Sequence, residues 1–314
     1  MSALTIEGLR IATRTHTIVG GIDLALERGG IHGLAGESGS GKTMTALAVL
    51  GLLPGGMTAS GSIRLADAEG SGSTELVGAS RGVLQGVRGR RVAMVFQDPS
   101  TSLHPQLPVG RQLTDHMRHH LGLGKAEARQ KAEALLDRVR VPDARGALSK
   151  YPHQFSGGQR QRIAIAVALA CDPTVLLADE PTTALDVTVQ AGVLQLLREL
   201  VDGGDLSILL VTHDLGVMSA VADEVTVMRQ GLVVESAPRQ QLFTAPQDDY
   251  TRSLLAALPG SSFEESPEVL AEELLEGREP GSGAAGAGTG AADAAGAADT
   301  PGASGAVDTG EDAR

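Results

Sequence analysis

Apolar and polar positions along this chain fall into short blocks whose period switches repeatedly between two and about 3.6. Residues 4–35 read as short β-strands. Leu4 to Ala12 is followed by a turn through Thr13 to Thr17, and then by Ile18 to Leu26. Glu27-Arg28-Gly29-Gly30 turns the chain into Ile31 to Ala35, which reads as a short buried strand. Thr43 to Leu53 reads as a helix with Met44, Leu47, Ala48 and Leu50 on its apolar side. Residues 54–89 are rich in glycine and serine. A strand is expected at Ser62 to Leu65, and part of the segment is expected to be a mobile surface loop. Arg91 to Phe96 is a compact apolar strand ending at Gln97.

Residues 110–140 look helical, with Ala126, Ala134, Leu135 and Val139 near helical spacing and charges between them. A Ser-Gly-Gly turn then opens an apolar helix, Arg160 to Ala170. Thr174 to Ala178 is a buried strand, Val187 to Val201 a helix, and Leu206 to Thr212 another buried strand ending at His213. Val225 to Met228 and Leu232 to Glu235 form a hairpin around Gln230-Gly231. Strands that alternate with helices imply an α/β fold whose mainly parallel sheet is covered on both faces. Ser266 to Glu276 reads as a short helix. From Gly277 onward large apolar side chains are nearly absent, so that segment cannot offset the entropy of ordering and is expected to be a disordered acidic tail.

One stretch organises the rest. Gly36 to Thr43, GESGSGKT, fits G-x-x-x-x-G-K-[ST], the phosphate-binding loop. Gly36, Gly39 and Gly41 let the backbone curl, and with Glu37, Ser38 and Ser40 they form a cradle of N–H groups aimed at one phosphate chain. Lys42 supplies a point charge to the β- and γ-phosphates. The Thr43 hydroxyl can ligate Mg²⁺. The preceding strand and the following helix complete an anion site at a helix N-terminus.

Further stretches supply what hydrolysis needs. Thr174 to Glu180 is an apolar strand ending in two acids. Asp179 is placed to hold Mg²⁺, directly or through water, and Glu180 to polarise the attacking water. Gln97 can reach both metal and water while staying neutral. His213 can donate a hydrogen bond to the γ-phosphate. Ser156-Gly157-Gly158-Gln159 at a helix start makes a second phosphate-binding geometry. One nucleotide needs only one cradle, so this second one is expected to serve a nucleotide held by another subunit.

Charge changes the picture only once it is divided. The net charge of −12 is concentrated in residues 261–314, which hold twelve acids against Arg278 and Arg314. The remainder is close to neutral, which argues against a broad nucleic-acid surface. No apolar run is long enough for a transmembrane helix, and the N-terminus has no signal-peptide pattern. The single cysteine, Cys171, cannot form an internal disulfide and is expected to pack as a small hydrophobe in a reducing compartment. His116, His119 and His120 include an i,i+4 pair that can bind metal. No acid or cysteine completes a site, so a solvated helical face is the expectation.

In order, GESGSGKT, Gln97, SGGQ, VLLADE, Ala184-Leu185-Asp186 and His213 resemble the nucleotide-binding subunit of an ABC transporter, over about residues 4–258. FQDPSTSLHP, YPHQFSGGQRQRIAIAVALACDP, ADEPTTALDVTVQ and LFTAPQDDYTRSLLAALP are similar to the oligopeptide, dipeptide and nickel importer family.

The resemblance implies a phosphate-loop core with an antiparallel β-subdomain and a helical subdomain inserted at about 98–170. It implies an ATP-binding domain over 1–258, a short extension over 259–276 and the acidic tail over 277–314. It implies an ATPase, with ATP and Mg²⁺, that powers import of di- or oligopeptides; nickel or another small solute is the alternative, and a soluble non-transport ATPase is a further one. It adds Asp186 to the nucleotide-binding residues. It also implies two membrane permeases, an extracytoplasmic binding protein and a second ATP-binding subunit at the cytoplasmic face of the membrane. ADEPTTALD looks like one member of a pair of different ATPases, which favours a heterodimer over a homodimer.

There are two departures from the family. The family usually stacks adenine on an aromatic near the end of the first strand. Here Thr13 stands in that place, no Phe, Tyr or Trp precedes Phe96, and His16 is the alternative stacking ring. Some members carry a cysteine-rich iron–sulfur segment; this chain has no cysteine there, so no cluster is expected.

Overall fold

The computed structural model describes residues 1–67, 72–98, 102–183, 185–204, 206–258 and 275–276. The expected tail from Gly277, almost all of the helix expected at 266–276, and the stretch 68–71 of the glycine-rich segment lie outside these residues.

Two long strands open the chain, β1 (Ser2–Ala12) and β2 (Thr17–Glu27). With β4 (Thr58–Ala66) and β5 (Ser73–Glu75) they make an antiparallel sheet in the order β2-β1-β4-β5. This is the antiparallel β-subdomain. The turn between β1 and β2 is fastened by Thr13, whose N–H donates to the His16 carbonyl at 2.8 Å while its hydroxyl accepts the His16 N–H at 3.0 Å.

The second sheet is built from β3 (Ile31–Ala35), β6 (Val92–Val95), β7 (Val175–Asp179), β8 (Ser207–Val211), β9 (Glu224–Arg229) and β10 (Leu232–Pro238). Its order is β10-β9-β3-β8-β7-β6, parallel throughout except for the β9–β10 hairpin. The unbroken apolar runs of β3, β7 and β8 follow from burial on both faces. Leu176, Ala178, Ile208 and Leu210 join the core under the helical region, whereas Val175, Leu177, Leu209 and Val211 join the core shared with the antiparallel sheet. Successive side chains point to opposite faces, so each strand feeds both cores.

Helix α1 (Lys42–Val49) follows the phosphate loop and is shorter than the Thr43–Leu53 expectation. Its buried face is Thr45, Ala46, Ala48 and Val49, with Met44 and Leu47 only half-buried. The glycine-rich segment 54–89 holds more structure than expected: β4, β5 and α2 (Arg81–Val87), capped by the Ser80 hydroxyl. The helical region consists of α3 (Val109–Leu121), α4 (Lys125–Arg138), α5 (Ala144–Ala147) and α6 (Gly157–Leu169). Gly122, at φ +70°, ends α3 in the left-handed region and separates it from α4. The buried stripe of α4 is Ala128, Ala132, Leu135 and Leu136, continued by Val139. Ala126 and Ala134 are exposed, which corrects half of the expected stripe. The chain continues through α7 (Val187–Asp202), α8 (Leu215–Val221), α9 (Arg239–Thr244) and α10 (Asp249–Ala256). Among the described residues no helix is long and apolar enough to cross a membrane.

One buried titratable group ties the sheet to pH. His32 on β3 is 3% exposed, and its Nε2 lies 2.8 Å from the Thr226 hydroxyl of β9. Burial pushes its pKa down to about 4 from an ordinary 6.5, with a backbone hydrogen bond to Ala25 acting the other way. The Glu224 carboxylate, 3.6 Å from Nδ1, is 42% exposed and too screened by water to reverse this. The folded pKa lies below the unfolded one. The stabilisation is therefore fully present above about pH 6.5 and is lost as pH falls toward about 4. The span corresponds to about 3 kcal/mol. His32→Gln is expected to flatten the loss of stability between pH 6.5 and 5 in denaturant melts; parallel losses in both proteins would refute the assignment.

Candidate functional site

The phosphate loop connects β3 to α1 and lines a cavity of about 730 Å³. Its glycines are needed where they stand. Gly36 sits at φ +138°, and a Cβ there would meet the Met228 carbonyl oxygen at 2.1 Å. Gly41 sits at φ +104°, and a Cβ there would lie 2.9 Å from Val19. Lys42, 5% exposed, donates to the carbonyls of Gly36 at 2.6 Å and Glu37 at 2.9 Å. Burial lowers its pKa, opposed by the charges of Glu180, Asp179 and Glu37. The Ser40 hydroxyl is buried with no hydrogen-bond partner among the described residues, and nothing in the structure accounts for it.

The ends of the central strands bring the acids to this loop. The Thr43 hydroxyl donates to Asp179 Oδ1 at 3.1 Å, joining the start of α1 to the end of β7. Asp179 is buried. Desolvation raises its pKa against the Thr43 hydrogen bond, and the neighbouring Glu180 charge adds to the rise. A hydroxyl beside a buried carboxylate is the hard-oxygen donor set that suits Mg²⁺.

Glu180 is held by three side chains. Its backbone is in the left-handed region at φ +48°, uncommon for a residue with a Cβ. Its Oε2 accepts from Gln97 Nε2 at 2.7 Å and from the Thr183 hydroxyl at 2.9 Å, and its Oε1 accepts from His213 Nδ1 at 3.0 Å. Burial works to raise its pKa, but the His213 and Thr183 hydrogen bonds, with the charges of His213 and Lys42, outweigh it. Glu180 is thus held below the usual Glu range and is ionised at neutral pH. With Nδ1–H given to Glu180, a neutral His213 ring leaves Nε2 as an acceptor. Donation from Nε2 to a phosphate therefore requires the imidazolium or release from Glu180.

Gln97, Glu180, Thr183 and His213 all line the cavity with the phosphate loop, and Asp179 reaches it through Thr43. Ser156 to Gln159 do not. Ser156 caps α6, its hydroxyl accepting the Gln159 N–H at 3.3 Å while the Gln159 side chain accepts the Ser156 N–H at 3.1 Å. Gly158 leaves space that Val189 of α7 would otherwise contest, since a Cβ there would lie 2.4 Å from its Cγ1. Asp186 also lies outside the cavity lining: it caps α7, accepting the Val189 N–H at 3.0 Å. Ala184 lies outside the described residues.

Sequence reasoning gave no role to three residues. Thr183 holds Glu180; its hydroxyl three residues after the acid was the available signal. Leu254 of α10 lines the cavity beside Ile18 and Met44, and Tyr250 touches the phosphate loop; no local pattern announces either. Thr13 and His16 are not among the lining residues; they are occupied with their own turn. Among the described residues no group of three His, Cys, Asp or Glu side chains is arranged to hold a metal ion. His116 and His120 stack with ring centroids 6.3 Å apart, and His119 meets His120 edge-on at 4.7 Å.

The family model described as ABC transporter matches residues 19–183, more than half of the chain. The chain belongs to the ABC transporter family. Among curated relatives, the glutathione import ATP-binding protein GsiA of Escherichia coli O1:K1 is 46% identical over 262 residues, 82% of this chain and 42% of that protein. GsiA of Pectobacterium atrosepticum is 46% identical over 240 residues, 76% of this chain and 38% of its own length. The cassette thus spans less than half the length of these relatives. Among solved structures, cbiO1 from Clostridium perfringens, part of the ABC transporter complex cbiONQ, has a TM-score of 0.66 at 26% identity. That alignment covers 82% of this chain and 96% of the other. The dimeric structure of MJ0796, a bacterial ABC transporter cassette, has a TM-score of 0.64 at 23% identity, covering 75% and 98%. The fold is that of an ABC ATP-binding cassette with its antiparallel and helical subdomains.

Proposed function

We propose that this cassette hydrolyses ATP to drive a membrane importer, with the chemistry carried by Glu180. The observation behind this reading is the Glu180 carboxylate, ionised and fixed by three donors at the mouth of the phosphate loop. Lys42 and the loop N–H groups bind the phosphates. Thr43, Asp179 and the Gln97 amide oxygen would hold Mg²⁺, which supplies charge neutralisation at the phosphates. Glu180 accepts the proton of the attacking water, and His213 orients Glu180 and faces the γ-phosphate.

Ser156 to Gln159 would close over the nucleotide of a second cassette, and the partner's equivalent turn over Lys42 and Thr43; Asp186 would act at that junction. The absence of this turn from the cavity lining supports the division of labour. Two different cassettes, beneath two permeases at the cytoplasmic face of the membrane, are our preferred assembly. An extracytoplasmic binding protein would deliver the solute. The name of the GsiA relatives favours glutathione or another short peptide as that solute, with nickel the alternative. We assign 1–258 to the ATPase unit and no catalytic part to 277–314. The pairing is tested by measuring ATP-driven uptake with the permeases, with and without a candidate second ATPase. Full uptake with this chain as the sole ATPase would establish a homodimer.

The segment after Gln97, on to about Leu148, would meet a permease helix. A groove of about 260 Å³ there is lined by Leu52, Phe96, Leu103, His116 and Val167. Leu103 is itself buried, so the reporter belongs next to it, at the exposed His104. His104→Cys is expected to cross-link to a permease in the assembled complex, with the buried Cys171 silent. Efficient cross-links from cysteines in 277–314 and none from position 104 would move the interface elsewhere.

A further inference from the structure

Helix α10 lies 213 residues from the phosphate loop in sequence, yet the Glu37 N–H donates to the Tyr250 hydroxyl at 3.2 Å. Tyr250 is buried, and the Arg229 guanidinium at the end of β9 lies 4.7 Å from its ring centroid. Just past Arg229, the Gly231 N–H donates to the Ser40 carbonyl at 3.1 Å. The phosphate loop is therefore gripped at two points by elements that follow residue 224, beyond the segment the family model matches.

The grip is itself fixed. The buried Glu235 carboxylate accepts the N–H groups of Gln247 at 2.8 Å and Asp248 at 3.1 Å. Asp248 then caps α10 through the Tyr250 N–H at 2.8 Å. Burial raises the Tyr250 pKa, against the Glu37 backbone hydrogen bond, so the phenol stays neutral. Packing alone would require only the ring. The hydroxyl adds a polar contact to the backbone of the loop that cradles the phosphates.

We propose that Tyr250 is a positioning residue for nucleotide binding: through the Glu37 N–H it holds the phosphate loop in its binding shape before the ligand arrives. The inference rests on reading Gly36 to Thr43 as the triphosphate site. A loop already ordered loses less freedom on binding, so affinity carries the effect. Acting through the loop, Tyr250 should influence the phosphate chain, with or without a nucleoside attached.

The test is calorimetric titration of the full chain with ATP and, separately, with inorganic tripolyphosphate. Wild type, Tyr250→Phe and Lys42→Ala are compared well below their melting temperatures. Tyr250→Phe is expected to raise Kd for both ligands alike by about three- to tenfold, the scale of one neutral hydrogen bond. In the assembled complex KM for ATP should rise by the same factor while kcat stays within about twofold. A lowered melting temperature with unchanged Kd would overturn the proposal and leave Tyr250 as packing. So would weaker ATP binding with unchanged tripolyphosphate binding. Should Tyr250→Phe fail to fold, Glu235→Gln, which loosens the seat of α10, is read the same way. If wild type binds no ATP, or Lys42→Ala binds it equally well, the nucleotide reading falls and this inference with it. If Lys42→Ala alone loses binding, only this inference falls.

Discussion

Glu180→Gln is expected to leave ATP bound and to cut hydrolysis by about 10²- to 10⁴-fold, the range that general-base catalysis commands. Glutamine keeps the size of the side chain, and its amide oxygen can still accept from Gln97 and Thr183, with its NH2 turned toward His213 Nδ1. It cannot take a proton from water. The geometry makes the prediction sharp, because all three donors converge on this one carboxylate and hold it ionised. The substitution is measured as phosphate release from the assembled transporter, with bound ATP counted in parallel. Hydrolysis at the wild-type rate would show that another group accepts the proton.

Lys42→Ala is expected to act one step earlier. Its ammonium is buried in the loop and donates to the carbonyls of Gly36 and Glu37, so it both closes the loop on itself and presents the charge. Alanine removes the cation and leaves those carbonyls without their donor. Loss of a buried, charge-assisted hydrogen bond to phosphate corresponds to an affinity loss of about ten- to a hundredfold or more. Equilibrium binding of labelled ATP to the isolated chain measures it. An unchanged Kd would place the phosphates elsewhere.

Much of the fold was legible, for identifiable reasons. Ile31 to Ala35 is a strand with the boundaries expected, because a strand buried on both faces has to be an unbroken apolar run. The hairpin at Gln230-Gly231 was legible from its turn, and both residues adopt positive φ, at 48° and 81°. Other elements left no readable phase. All seven residues of α8 are buried, so no polar face marks its period. Helix α2 buries only Val87 and sits among glycines. In α4 the alanines misled, since a methyl group fits an exposed position as well as a buried one.

The site divides in the same way. The loop after β3 and the two acids at the end of β7 were legible because each is a local run, and the structure brings them together as expected. Thr183, Tyr250 and Leu254 were not, because their contacts depend on how strand ends and α10 come together. Asp186 was named only through the resemblance: its side chain caps its own helix, and its action at the junction with a second cassette is part of the proposal.

The most direct test of the account is phosphate release by the transporter purified with its permeases. Wild type, Lys42→Ala and Glu180→Gln would be compared at saturating ATP, alongside retained nucleotide. Wild type is expected to bind and hydrolyse, Glu180→Gln to bind without hydrolysing, and Lys42→Ala to retain far less nucleotide, in line with its weakened affinity. Steady phosphate release from Glu180→Gln, or its failure to retain ATP, would contradict the separation of binding from chemistry on which the whole reading stands.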